Sequence, residues 1–160
     1  MITSVRSMVV EDLPAVLAIE AEANPSPWRA GDFSVFFPAI TDAPSMTSAG
    51  GRRVAWVYAD PEVRGFLCAV GAADEVELQS IAVERVKWSR GLGSSLMEAM
   101  LSWTRTQGYR TLHLEVRESN FRASEFYGRW GFARVGRRDK YYGDNGEAAV
   151  LMSLTLEAAG

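Results

Sequence analysis

Between residues 88 and 94 the chain reads Trp-Ser-Arg-Gly-Leu-Gly-Ser, placed where a short apolar run at 81–83 gives way to a helical pattern. A helix N-terminus presents unpaired amide donors and a partial positive charge. Glycines there let an anion approach the main chain. The segment is therefore a candidate phosphate cradle, with the amides of Ser89, Arg90, Gly91, Leu92, Gly93 and Ser94 turned to the ligand and the Arg90 guanidinium adding a charge-assisted contact. The same glycines equally suit a tight strand-to-helix turn with no ligand. GxxxxGK[ST] is missing, and Leu96 takes the third glycine position of a dinucleotide fingerprint, so neither nucleotide motif is present. Further on, Glu115 could accept a proton, or could be an ordinary solvated sheet carboxylate. His113, two residues earlier on the same strand face, is read as a structural histidine in preference to a rival base. Tyr127 could donate a proton or simply fill the core with its ring, and Asn120 could cap a helix or touch a ligand.

These groups need elements to hold them. Leu112, Leu114 and Val116 alternate with Thr111, His113, Glu115 and Arg117, which predicts a strand over 111–117. Leu92, Leu96, Met100 and Trp103 recur at helical spacing, predicting a helix over 91–107 that stops at Gly108. A second helix is expected over 120–130, ended by Gly131, and closing strands over 132–137 and 148–156. Upstream, 75–83 reads as a strand preceded by strands over 54–58 and 65–70, an antiparallel meander. The N-terminal part reads as a strand over 4–10, a helix capped by Asp12 and carrying Val16 and Ile19, and a short helix over 28–37. The stretch 38–52, with its Pro, Gly, Ser and Thr, reads as a surface loop. The expected architecture is α+β, a mixed but mostly antiparallel sheet with helices on both faces, in a single domain over 1–160.

Composition narrows the function further. Of 160 residues, 48% are hydrophobic and 23% charged, which excludes a disordered chain, and the formal net charge of −3 argues against a general nucleic-acid binder. One cysteine (Cys68) and one histidine exclude an internal disulfide and leave little to hold a metal. With no apolar run of membrane-span length, the expectation is a cytoplasmic, metal-free protein with no membrane partner, a monomer or weak homodimer.

Several segments resemble the GNAT superfamily of acetyl-CoA-dependent N-acetyltransferases: LQSIAV at 78–83, RGLG at 90–93, LEVRESN at 114–120 and EFYGRWGF at 125–132. RRDKYY at 137–142, GEAAVLM at 146–152 and Pro27-Trp28 extend the likeness toward the RimI-type enzymes, which acetylate the N-terminal α-amine of a ribosomal protein. Trp88 departs from the Gln or Arg that usually opens the family's loop. The resemblance implies a GNAT fold with splayed central strands and acetyl-CoA in the wedge between them. It implies that backbone groups of Ile81, Ala82 and Val83 pair with the pantetheine arm, that the amides of residues 89–94 hold the pyrophosphate, and that Asn120 contacts the cosubstrate. Glu115 matches the family's general base and Tyr127 its general acid; Trp28, Tyr141 and Tyr142 would line the acceptor groove. The acceptor would be a protein N-terminus. A small amine remains the rival acceptor, and a non-catalytic acyl-CoA-binding module the rival class.

Overall fold

The structure is a computed structural model that describes residues 4–37, 45–46, 51–85 and 91–156. Eight strands form one sheet: β1 (Val5–Ser7), β2 (Ser45–Met46), β3 (Arg52–Ala59), β4 (Val63–Ala72), β5 (Glu75–Val83), β6 (Thr111–Arg117), β7 (Ala133–Arg138) and β8 (Ala149–Thr155). Their order is β1-β3-β4-β5-β6-β8-β7, with β2 beside β3. Every pairing is antiparallel except β5 with β6. That parallel pair follows from the helical crossover between them, since parallel neighbours need a long connection.

Among the described residues four α-helices cover the sheet. α1 (Leu13–Ala23) and α2 (Ala30–Ser34) lie on one face, where Val16, Ile19, Phe33 and Phe36 pack with Phe66 and Cys68. α3 (Leu92–Thr106) and α4 (Phe121–Arg129) lie on the other, where Leu96, Met97, Met100 and Tyr127 pack with Leu67, Leu78 and Leu114. Because both faces are covered, residues 65–69 of β4 are buried without a break. Cys68 is one of them, and burial pushes its thiol up, away from the reactive thiolate. No helix among the described residues is long and apolar enough to cross a membrane.

The expected bounds of β5 and β6 match the structure, and those of α3 and α4 differ by a residue at each end. Four expectations before β3 need correction. The strand expected over 4–10 spans only Val5–Ser7, since the chain turns into a 3-10 helix over Val10–Asp12. The helix expected over 28–37 is helical only from Ala30 to Ser34, since Pro27 and the extended Arg29 precede it. Of the loop read over 38–52, residues 38–44 and 47–50 lie outside the described residues, Ser45 and Met46 form β2 and pair with Arg53 and Arg52, and Arg52 already belongs to β3. Asp12 makes no side-chain cap on α1. Its carboxylate instead accepts Val9 N–H at 2.8 Å and two Arg6 N–H groups at 2.8 Å each, tying the preceding 3-10 turn to β1.

One irregularity shapes the middle of the sheet. Between β4 and β5 the register runs Cys68↔Ser80 and then Ala69↔Leu78, so Gln79 is an extra residue. A bulge of this kind bends its strand and sharpens the twist. β5 accordingly pairs with β6 only over Glu75–Glu77 and then leaves it, while β6 stays bonded to β8 along its whole length. The two strands open into a wedge.

Candidate active site

Two cavities fill the wedge and share Ile81, Asn120 and Tyr127 as walls. The first, about 310 Å³, is bounded by residues 81–83 of β5, the start of α3 and one side of α4. The second, about 560 Å³, is bounded by Glu77, Glu115, Trp28, Tyr141 and Tyr142 among others.

The first cavity has the features of an anion and amide site. Gly91 is the N-cap of α3 with φ +84°, in the left-handed region that glycine adopts without penalty. Gly93 lies against α4: a Cβ there would stand 3.3 Å from the Phe126 ring. Gly91, Leu92, Gly93 and Ser94 all line the cavity, as do Arg122 and Arg129 of α4. Ser89 and Arg90, and with them Trp88, lie outside the described residues. The adjoining edge of β5 has a fixed polarity. Glu84 N–H donates to Arg64 O at 2.8 Å, toward β4, so strand alternation turns the main-chain groups of residues 81 and 83 toward the wedge. Ala82 lines the cavity as well but is paired opposite Phe66 of β4. The groups present, helix-start amides plus the stretch of β5 that has left β6, fit a diphosphate joined to an amide-bearing arm.

Asn120 serves two ends at once. Its Oδ1 accepts Ala123 N–H at 3.1 Å as the α4 cap, and the residue lines both cavities.

Glu115 and Tyr127 reach the wedge from opposite faces of β6. Leu112, Leu114 and Val116 point into the core shared with Tyr127, which leaves Glu115 on the other face. Tyr127 is 8% exposed and held between Phe126 and Phe132, at ring separations of 5.5 and 6.0 Å. Burial drives its phenol well above the ordinary value, so it stays protonated at neutral pH. The Glu115 side chain is 24% exposed, and its carboxylate is the chief influence on the Tyr141 hydroxyl, which is pushed up to about 12. Tyr142 is fixed by Arg117, whose guanidinium lies 4.1 Å from the ring centroid and also pairs with Asp144 at 2.8 Å and Glu147 at 3.5 Å. Trp28 stacks on Phe36 and meets Phe33 at a tilt while facing the larger cavity, so packing and lining coincide there.

His113 does not line either cavity. Its Nδ1 is 2.7 Å from Ser153 Oγ and its Nε2 is 3.3 Å from Glu75, both within the sheet. Among the described residues no group of three or more His, Cys, Asp or Glu is placed to hold a metal ion.

The sequence reading overlooked three charged groups. Glu20 of α1 is 1% exposed and accepts Trp28 N–H at 2.9 Å and Asn24 Nδ2–H at 3.3 Å; burial raises its carboxyl. Its position four residues after Val16 puts it on the apolar stripe, and that spacing was the available signal. Glu77, on β5, is raised by desolvation and then by the Glu115 charge. Arg138 lies 3.5 Å from Glu115.

A sequence model described as the acetyltransferase (GNAT) family matches residues 13–132. The chain is 30% identical over 156 residues to the [ribosomal protein bS18]-alanine N-acetyltransferase of Escherichia coli K12, covering 96% of this chain and 97% of that protein. The crystal structure of the ribosomal-protein-S18-alanine N-acetyltransferase from E. coli superposes with a TM-score of 0.83 at 29% identity, over 99% of this chain and 97% of that one. Arabidopsis thaliana NAA60 in complex with acetyl-CoA shares the fold, with a TM-score of 0.77 at 17% identity, over 95% of this chain and 97% of that one. The chain thus belongs to the GNAT family and is an N-acetyltransferase that uses acetyl-CoA.

Proposed function

We propose that the chain transfers the acetyl group of acetyl-CoA to the N-terminal α-amine of a protein in the cytoplasm, a ribosomal protein being the class named for its E. coli relative, and that residues 1–160 act as one domain. The observation that carries this reading is the wedge itself, in which Glu115 and Tyr127 reach one cavity that continues into a helix-start cradle. The residues present fit acetyl-CoA: Ile81, Ala82 and Val83 would take the pantetheine arm along β5, the amides of residues 91–94 the pyrophosphate, and Asn120 the junction. Ser89 and Arg90 remain part of the proposed cradle on sequence grounds alone.

In this reading Glu115, directly or through a water, accepts the proton that the amine loses as its nitrogen attacks the thioester carbonyl. The task is modest, because an α-amine has a pKa of about 8 and a lysine one of about 10.4. Main-chain N–H groups where β5 leaves β6 stabilise the oxyanion. As the C–S bond breaks, Tyr127 supplies a proton to the sulfur. No covalent enzyme intermediate is needed, and positioning carries much of the rate. Trp28, Tyr141 and Tyr142 bound the slot for the acceptor.

The test is Glu115→Gln, assayed with an alanine-starting peptide. Turnover should drop about 10²–10⁴-fold, with acetyl-CoA affinity near that of the parent. Full activity would remove Glu115 from the mechanism. A parallel panel of peptides and small amines decides the acceptor, and a preference for the small amines would overturn the protein-substrate assignment.

A further inference from the structure

Arg138 is the last residue of β7, 23 positions from Glu115 in sequence; it lies within the RRDKYY segment, but nothing in that segment ties it to Glu115. Its Nη1 lies 3.5 Å from Glu115 Oε1. Its guanidinium carbon stands 5.6 Å from the centroid of Tyr141, which lines the larger cavity together with Glu115. Glu77, across the wedge on β5, feels the charges of both Glu115 and Arg138. A cation is thus seated beside a carboxylate of the larger cavity, on the group proposed to receive the acceptor's proton; Arg117, which lines that cavity, is instead paired with Asp144 and Glu147.

An acceptor α-amine arrives mostly as an ammonium at neutral pH. It must meet the same carboxylate, and two cations cannot share it without repulsion. We infer that Arg138 is a specificity-determining residue: it is the counter-ion of Glu115 while no acceptor is bound, and the acceptor's ammonium takes its place. The inference rests on the reading of Glu115 and its cavity as the acceptor end of the site. Arg138 is suited to being displaced. Its side chain is 58% exposed, at a strand end, and an ion pair that exposed contributes no more than about fivefold to an equilibrium constant. The exchange also selects by charge. An ammonium replaces the lost cation beside Glu115, whereas a neutral or acidic end would leave Glu77 and Glu115 with only Arg117 as the cation among the cavity's lining residues, and its charge is already engaged by Asp144 and Glu147.

The experiment compares the parent chain with Arg138→Gln, Arg138→Lys and Glu77→Gln, using saturating acetyl-CoA and a peptide with a free N-terminal alanine. Arg138→Gln should lower the peptide KM about two- to fivefold, leave acetyl-CoA affinity unchanged, and be reversed by lysine at the same position. Glu77→Gln, which removes charge of the other sign, should raise the peptide KM. Damage to β7 packing would raise KM in both arginine variants, so opposite signs separate electrostatics from structure. An unchanged or raised KM in Arg138→Gln, or a lysine variant that behaves like glutamine, overturns the inference while leaving acetyl transfer intact. A parent chain that acetylates no amine overturns both.

Discussion

Replacing Gly91 with alanine isolates the conformation of the cradle from the space around it. Among the described residues a Cβ at Gly91 meets no heavy atom within 4 Å, so none of them resists the methyl group sterically. The whole cost comes from φ +84°, which an L-residue with a Cβ adopts at a penalty of roughly 1–2 kcal/mol. The chain can absorb that penalty in two ways. If the turn keeps its shape, the free protein loses about 1–2 kcal/mol of stability, and at this chain length Tm falls by about 2–8 °C. If the turn relaxes, stability is retained, but the amides of residues 91–94 rotate and acetyl-CoA affinity drops by roughly 5–30-fold, the same free energy read as a ratio. Mixed outcomes should sum to the same total. Thermal melts of the free protein and calorimetric titration with acetyl-CoA, run on the parent, Gly91→Ala and Gly91→Asn, measure both parts. Asparagine tolerates the left-handed region better, so its summed loss should be smaller. Gly93→Ala serves as the steric counterpart, since its Cβ would press on Phe126, which also lines the phosphate-end cavity. A Gly91→Ala protein with parental Tm and parental affinity would refute the argument.

Tyr127→Phe keeps the ring contacts with Phe126 and Phe132 and removes only the hydroxyl. Its Tm should stay within a few degrees of the parent, while kcat falls toward the lower end of about 10²–10⁴-fold, because a thiol of pKa about 8.5 leaves without much help. Parental kcat would take Tyr127 out of the chemistry. Asp12→Asn should cost about 1–3 kcal/mol at neutral pH by breaking the paired contacts with Arg6 and the bond from Val9 N–H. The Arg6 hydrogen bonds hold the Asp12 carboxyl below its ordinary value. Its stabilisation is therefore present above the unfolded-state pKa of about 3.9 and is lost as pH falls through the lower folded-state value. Urea unfolding should show the gap between parent and variant closing in acid, and an equal gap at pH 7 and below pH 3 would contradict the assignment.

The catalytic half of the fold is legible because its signals are local. β6 alternates cleanly in sequence and in burial, and α3 repeats Leu92, Leu96 and Met100 on one side with glycine at each end. Four motifs in order then place Glu115, Asn120 and Tyr127. What is not legible depends on partners distant in sequence. The bulge at Gln79 that opens the wedge exists only in the register between β4 and β5, and residues 78–83 alone read as an ordinary strand. Glu77 and Glu115 come to one face through the pairing Glu77↔His113, and that register is set by the crossover through α3. Arg138 reaches Glu115 because β7 and β6 both flank β8, where Arg138 is opposite Ala149 and Glu115 opposite Leu151. Asp12 precedes a helical run and carries the usual cap chemistry, yet Arg6 and Val9 N–H, both earlier in the chain, claim its carboxylate first. In each case the motif marks a residue that can react, and the sheet register decides which charges surround it. Acceptor choice is therefore to be sought in pairings such as Arg138 with Glu115, which the sheet register makes and neither residue's sequence neighbourhood announces.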